Sequence, residues 1–449
     1  MKSKQKLLTG APGRALFFFA LPMIIGNLFQ QFYNMADSVI VGRFVGENAL
    51  AAVGASYAFS NVFIMIAIGG GIGASVLTSQ YLGAGKYREM KTSINTFLIT
   101  FAVLSTLLAC FGFFCNPMVL SALKTPDNIY ADAVLYLQIY FVGLPFMFMY
   151  NILASNFNAL GKSGIPLALL IFSSLLNIVL DLFMVTVLKM GVAGVAIATV
   201  IAQGISAAIS FSILRKLLTS FTCEGRPDLF DRSMFRNGIR VAIPSIIQQS
   251  IVSIGMLLTQ SAVNQFGSSA LAGYSAGMRL ESLAIVPMIA TGNAVSTFTA
   301  QNLGAGQIDR IKQGYRNSHV IIIAFGAAFL LAGQLFYEPI ISIFVDAESS
   351  RVAYDTGVSY LRFLSCFISI LGLKAITDGV LRGSGDVNVY MAANLVNLTI
   401  RVLVAQLCSP IFGIEVIWYA VPMGWGANYL ISLLWYRTGS WQKKSLLRS

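Results

Sequence analysis

Gln80-Tyr81-Leu82-Gly83-Ala84-Gly85 returns as Gln301-Asn302-Leu303-Gly304-Ala305-Gly306, 221 residues further along the chain. The same offset carries Ala49 and Leu50 onto Ala270 and Leu271, and Leu160, Ser163 and Gly164 onto Leu381, Ser384 and Gly385. Pro22 returns as Pro244 with one residue of slippage. Separate matches that agree on one register mark an internal duplication.

Outward from these anchors lie apolar stretches long enough to cross a bilayer, about 20 residues each. They run from Ala15 to Val41 and near 49–82, 93–115, 131–158, 165–188, 192–214, 241–266, 270–303, 317–340, 351–380, 388–411 and 414–436. Six fall in each half. An even number makes both halves enter the membrane from the same side, as parallel repeats, and places a transport site at their interface. The expected fold is therefore all-α and polytopic, with twelve transmembrane helices in two parallel six-helix repeats. Residues 1–214 form the N-lobe, 215–240 a cytoplasmic connector, and 241–449 the C-lobe with a basic tail.

Composition agrees. Of 449 residues, 56% are hydrophobic and 11% charged, against roughly 25% charged in soluble chains. Mean hydropathy is +0.75. Soluble enzymes and disordered scaffolds are poor fits. The first stretch is too long for a signal-peptide core and lacks a cleavage-like site. Lysines and arginines number 22 on the side of the termini and 4 on the other, which puts both termini in the cytoplasm of a prokaryotic inner membrane. The net charge of +12 is thereby explained at membrane boundaries, without a nucleic-acid face. Five cysteines without ligand spacing and a single His319 argue against metal and redox chemistry. The glycine run Gly69–Gly73 has no preceding strand, and Gly85-Lys86 is followed by Tyr87, so no phosphate loop and no ATP-driven transport is expected.

Ionisable groups inside apolar helices cost about 2.5–3.5 kcal/mol each on insertion scales, so those that persist need a partner or a task. Gln30, Asn34 and Asp37 stripe the first segment, Ser173, Asn177 and Asp181 the fifth, Asn151, Ser155 and Asn158 the fourth, and Thr199 and Gln203 the sixth. Asp37, Asp181 and Thr199 all fall in the outer half of the bilayer. Two carboxylates in one dry site repel unless a proton or sodium ion lies between them. Asn27, Asn151 and Asn158 read as packing hydrogen bonds. In the second half Asn397 and Arg401 stand where Asn177 and Asp181 stand in the first. Glu281 is expected to pair with Arg279, Arg362 or Arg401, with a secondary substrate contact. Lys374 and Asp378 read as snorkelling near a helix end. Pro22 and Pro244 are candidate hinges. Aromatics and methionines such as Tyr33, Tyr140, Met147 and Tyr274 could line an adaptable cavity.

The stretch from Pro22 through Asp37 to Val41, Gly42 and Gly46, the doubled Gln-x-Leu-Gly-Ala-Gly, and Leu381 to Asp386 together resemble the multidrug and toxic compound extrusion family over essentially the whole chain. The resemblance implies two six-helix lobes in a V that exchange protons or sodium for organic cations. In the DNA-damage-inducible exporter branch it implies a cation site at Asp37, Asn177, Asp181 and Thr199, whereas Gln248, Gln249 and the region of Leu371 lack the acids that another branch carries. Gln30, Asn34, Asn151, Asn158, Glu281 and Arg401 are the candidate substrate-binding or supporting residues. The expected activity is multidrug antiport by a monomer without cofactor. A flippase for lipid-linked oligosaccharides, kept open by the C-lobe arginines, and a membrane-embedded enzyme are the alternatives.

Overall fold

The computed structural model describes residues 6–344 and 350–448; Lys2 and Lys4, counted above on the cytoplasmic side, lie outside the described residues. The helices are α1 (Pro12–Ile40), α2 (Glu47–Gly83), α3 (Tyr87–Ala122), α4 (Asp127–Ala159), α5 (Gly164–Leu182), α6 (Gly191–Leu218) and α7 (Arg232–Asn264). They continue as α8 (Ser268–Gly304), α9 (Ile308–Leu335), α10 (Tyr337–Ser342), α11 (Arg351–Ser384), α12 (Val387–Leu403), α13 (Ser409–Phe412) and α14 (Glu415–Thr438). Among the described residues no strand forms. The chain is an all-α, multi-pass membrane protein, since a helix satisfies every backbone group internally where no water can.

Twelve spans were expected, and eleven helices among the described residues are long and apolar enough to cross. The twelfth stretch is α14, helical over 24 residues. Its Trp418, Trp425, Trp435, Gly424, Gly426 and Asn428 dilute a hydropathy that its length alone would satisfy.

The repeat is visible in how helices end. After α2, Gly85 adopts φ +69°, Lys86 N donates to Tyr81 O at 3.1 Å and Gly85 N to Leu82 O at 3.1 Å. Gly306 after α8 does the same at φ +72°, with Gln307 N donating to Asn302 O at 2.8 Å. This is the glycine-dependent Schellman cap, and it explains why the Gly-Ala-Gly pair recurs. The corresponding cap after α4 uses Gly161, and after α11 Gly385. These glycines lie 224 apart, so the register of 221 that pairs Leu160, Ser163 and Gly164 with Leu381, Ser384 and Gly385 slips by three residues at this elbow. It returns at the far ends of α5 and α12, where five-residue π-turns occupy Phe183–Val187 and Val404–Cys408.

Two compact units form. The first holds Ile25–Ile246; the second holds the described leader through Ile24 and everything described from Ile247 on. In the first unit the glycine run of α2 lets backbones approach: a Cβ on Gly69 would lie 2.6 Å from Ile246 N, and one on Gly73 2.7 Å from Ala242 Cβ. The start of α7 therefore packs against α2. The chain just before it is held by α3: Asn95 donates to Asp228 O at 3.1 Å, Arg88 pairs with Asp228 at 3.6 Å, and Thr92 and Thr96 accept from Asp228 N and Asp231 N at 3.0 Å each.

In the second unit the leader receives equivalent treatment from α8 and α9. Asn302 donates to Leu7 O at 3.1 Å, and the Arg310 guanidinium donates to the carbonyls of Leu7, Thr9 and Gly10. Each repeat's first helix thus changes unit two residues after its proline, Pro22 in α1 and Pro244 in α7.

Candidate functional site

Tyr33 and Asp37 stand one turn apart on α1, Asn177 and Asp181 one turn apart on α5, and Thr199 on α6. Asp37 precedes a π-turn at Val41–Val45 and Asp181 the one at Phe183–Val187. Such turns insert a residue into the helical register, re-aim the side chains beside them and are frequent at functional sites. The carboxyl groups of Asp37 and Asp181 face each other within hydrogen-bond range. One oxygen of each is buried without a protein partner.

Asn177 links the elements. An amide oxygen turned toward Asp181 would meet only acceptors, so the nitrogen occupies that position. It donates to Asp181 Oδ2 at 3.1 Å and to the Tyr33 hydroxyl, while the amide oxygen accepts from Thr199 N at 3.2 Å. Thr199 donates its hydroxyl back to Val195 O at 3.1 Å. Tyr33 and Tyr136 lie within electrostatic reach of both acids. Among the described residues neither acid has a salt-bridge partner.

An apolar cap adjoins the site. Val41 lies one turn beyond Asp37, Val185 one turn beyond Asp181, and Val195 one turn before Thr199; with Ala49 and Val192 they form a buried cluster against which Val45, Val53 and Tyr136 pack. Exclusion of water by this cluster strengthens every electrostatic term beneath it. Two carboxyl groups and the Thr199 hydroxyl supply oxygens suited to a proton or a hard cation, while the Asn177 amide, its nitrogen turned to Asp181, positions that carboxyl.

The four residues expected to hold an ion, Asp37, Asn177, Asp181 and Thr199, are brought together. The supporting residues are not. Gln30 donates to Asn34 Oδ1 at 2.9 Å on an exposed part of α1, because Tyr33 rather than Asn34 shares the inward face with Asp37. Asn151 donates to Met147 O of its own helix at 2.9 Å, and Asn158 Oδ1 is buried without a partner elsewhere on α4.

The second unit builds a different site from the corresponding helices. Asn397 and Arg401 stand seven and three residues before the α12 π-turn, nearly the places of Asn177 and Asp181 before theirs. Arg401 is buried and donates from Nε to Thr259 Oγ at 3.1 Å. Glu281, 3% exposed, accepts from the Tyr360 hydroxyl at 2.6 Å, with Arg401 in electrostatic range. Trp418 stacks on Tyr274 at 5.5 Å and packs on Tyr360 at 4.7 Å around them. The direct ion pair expected for Glu281 is thus replaced by a tyrosine bond. Arg362 donates to Gln334 Oε1 at 3.2 Å, and Arg279 lies over Phe344 at 5.9 Å.

Lys374 and Asp378 do not snorkel. They are 6% and 5% exposed and pair at 3.3 Å; Lys374 also donates to Asn394 Oδ1 at 3.0 Å, and Ser432 donates to Asp378 Oδ1 at 2.9 Å. Both turn inward to α12 and α14, which bring Asn394 and Ser432 to them. Tyr136, Tyr360 and Thr259 were not anticipated. For Tyr33 a signal existed, its i, i+4 relation to Asp37; for Thr259 the offset of 222 from Asp37 would have served.

Comparison with known proteins shows where this arrangement belongs. The MatE family model matches twice, over residues 22–183 and 244–407, once on each repeat. The chain is 28% identical over 435 residues to "Probable multidrug resistance protein YpnP" of Bacillus subtilis (strain 168), covering 96% of each. It is 25% identical to a "FAD transporter" of Shewanella oneidensis, covering 97% of this chain and 96% of that one. The solved structure described as "MATE in the bent conformation" superposes with a TM-score of 0.90 at 22% identity, covering 100% of both chains. Two matches to one model, one on each repeat and together spanning most of the chain, make the chain a member of the MatE family, the multidrug and toxic compound extrusion transporters.

Proposed function

We propose that the chain is a secondary active multidrug efflux antiporter, exporting small organic cations in exchange for H⁺ or Na⁺, with Asp37, Asn177, Asp181 and Thr199 as the coupling-ion site. The observation that carries this reading is the meeting of a buried Asp181 carboxyl with a part-buried Asp37 carboxyl, one oxygen of each buried without a partner and, among the described residues, no base beside them. Both charged, they repel in a low-dielectric pocket; a proton or sodium ion entering from the outer side removes the repulsion. The ion does work only through unequal affinity for two conformations, tight in one and weak in the other. Loading draws α1 toward α5 through the shared ion, and the proline at Pro22 lets the rest of α1 respond. Asn177, bonded to both Asp181 and Tyr33, ties the Asp181 carboxyl to α1, and the valine cap keeps water from taking the ion's place. The reading includes an inner-membrane monomer with both termini cytoplasmic.

Proteoliposomes with an imposed proton or sodium gradient and a fluorescent cationic dye test it. Asp37→Asn is expected to abolish gradient-driven efflux while the protein remains folded in the membrane; efflux retained under either gradient overturns the assignment. The gradient that drives the parent identifies the ion. Less supports the flippase alternative, because Arg279, Arg362, Arg382 and Arg401 are all engaged by side chains of their own unit.

A further inference from the structure

Arg232, Arg236 and Arg240 recur at i, i+4 and i+8 on the first turns of α7 and line one cavity of about 490 Å³ with Phe235, Ile239 and Ile243. That volume lies in the range of sites for small organic ligands, roughly 300–1,000 Å³. All three arginines are exposed, and among the described residues none forms an ion pair. The carboxylates nearest in sequence are committed elsewhere: Asp228 to Arg88 at 3.6 Å, and Asp231 to Met234 N at 2.7 Å as the cap of α7. Like charges one turn apart repel, so the row is uncompensated until an anion arrives.

We infer that this cavity binds the phosphate group of an anionic amphiphile. Guanidinium groups present paired donors that match phosphate oxygens bidentately. The isoleucines and Phe235 interleaved on the same wall offer apolar surface to the chain or ring that the phosphate carries. Two sources share this chemistry: the headgroup of an anionic phospholipid, and a water-soluble organic phosphate. The inference is independent of the coupling-ion reading, since the acid pair takes no part in it.

Binding to the purified full-length protein tests it without transport. Phosphatidylglycerol and phosphatidylcholine are offered separately in mixed micelles and counted by native mass spectrometry; hexyl phosphate is titrated by ³¹P NMR. The parent is expected to bind phosphatidylglycerol, hexyl phosphate or both about tenfold more tightly than the R232Q/R236Q/R240Q variant, a difference of about 1.4 kcal/mol. Asp37→Asn, which leaves the cavity intact, is expected to bind as the parent, and Arg236→Lys, which keeps the charge but loses one pair of donors, to fall between the parent and the triple variant. An effect confined to phosphatidylglycerol assigns a membrane lipid, and an effect on hexyl phosphate assigns a soluble phosphate. Equal binding of both anionic probes by the parent and the triple variant, or equal affinity of the parent for phosphatidylcholine and phosphatidylglycerol with no hexyl phosphate binding, overturns the proposal.

Discussion

The two units bury acids in opposite ways. In the first, Asp37 and Asp181 face each other with an amide and tyrosines around them and, among the described residues, no base. In the second, each buried acid among the described residues has company of its own: Asp378 has Lys374 at 3.3 Å, Glu281 has the Tyr360 hydroxyl with Arg401 nearby, and Asp386 accepts from Trp435 Nε1 at 2.7 Å. A built-in cation balances the acid in place, whereas two acids without a base leave their charge unbalanced. The duplicated scaffold supplies two equivalent frames, and under the proposed function it is side-chain charge that assigns the coupling ion to the first.

The sharpest way to break this contrast is Asp37→Asn or Asp181→Asn. Each removes one charge from the unbalanced pair, and gradient-driven efflux is expected to fall by about 100-fold or more, as a lost differential ion affinity near 3 kcal/mol would require. Initial dye-efflux rates in proteoliposomes measure it, with the melting temperature in detergent expected to stay level or rise. The mirror experiment is Lys374→Met in the second unit. Leaving Asp378 buried without its cation costs about 3–5 kcal/mol of stability. The measured melting temperature is expected to drop, and K374M/D378L to recover most of it; a single variant as stable as the parent would show that this pair is not an internal balance.

Arg401→Gln sharpens the comparison further. With its guanidinium gone, Glu281 is left with Tyr360 alone, and the second unit should begin to resemble the first. Melting temperatures measured with and without sodium are expected to show a dependence that the parent's second unit lacks, read in an Asp37→Asn background and worth about 1–2 kcal/mol. Absence of any new ion dependence counts against the idea that charge balance alone separates the units. Tyr33→Phe removes a hydroxyl that Asn177 serves; about 1 kcal/mol of site order, or a fivefold slower efflux, is expected. At the small end, Gln30→Ala and Asn34→Ala should change efflux less than twofold, since their mutual bond is exposed and such pairs contribute little.

Much of the fold was legible in the chain itself. Apolar runs of membrane length, the doubled Gly-Ala-Gly elbows and the two prolines gave helix number and repeat organisation directly, because hydropathy and capping are local properties. Asp37, Asn177, Asp181 and Thr199 were also legible as a group, since few polar residues survive in lipid-facing sequence and depth along a helix follows from counting. Depth is not azimuth, however. Gln30 and Asn34 share the stripe of Asp37 in sequence but lie outside its pocket, and Lys374 sits near a helix end yet turns inward to Asp378. The exchange of leading segments between units was invisible too, because the contacts that hold Leu7 and Asp228 come from α9 and α3, far away in the chain.

By itself, then, the order of residues determined that this is a duplicated bundle of membrane helices with a handful of buried charges at known depths. Only tertiary structure decided which of those charges meet. Rotation of each helix about its axis is set by how small residues such as Gly69 and Gly73 let neighbouring backbones approach, a property of two surfaces at once, and π-turns beside Asp37, Asp181 and Arg401 turn the last step of the aim.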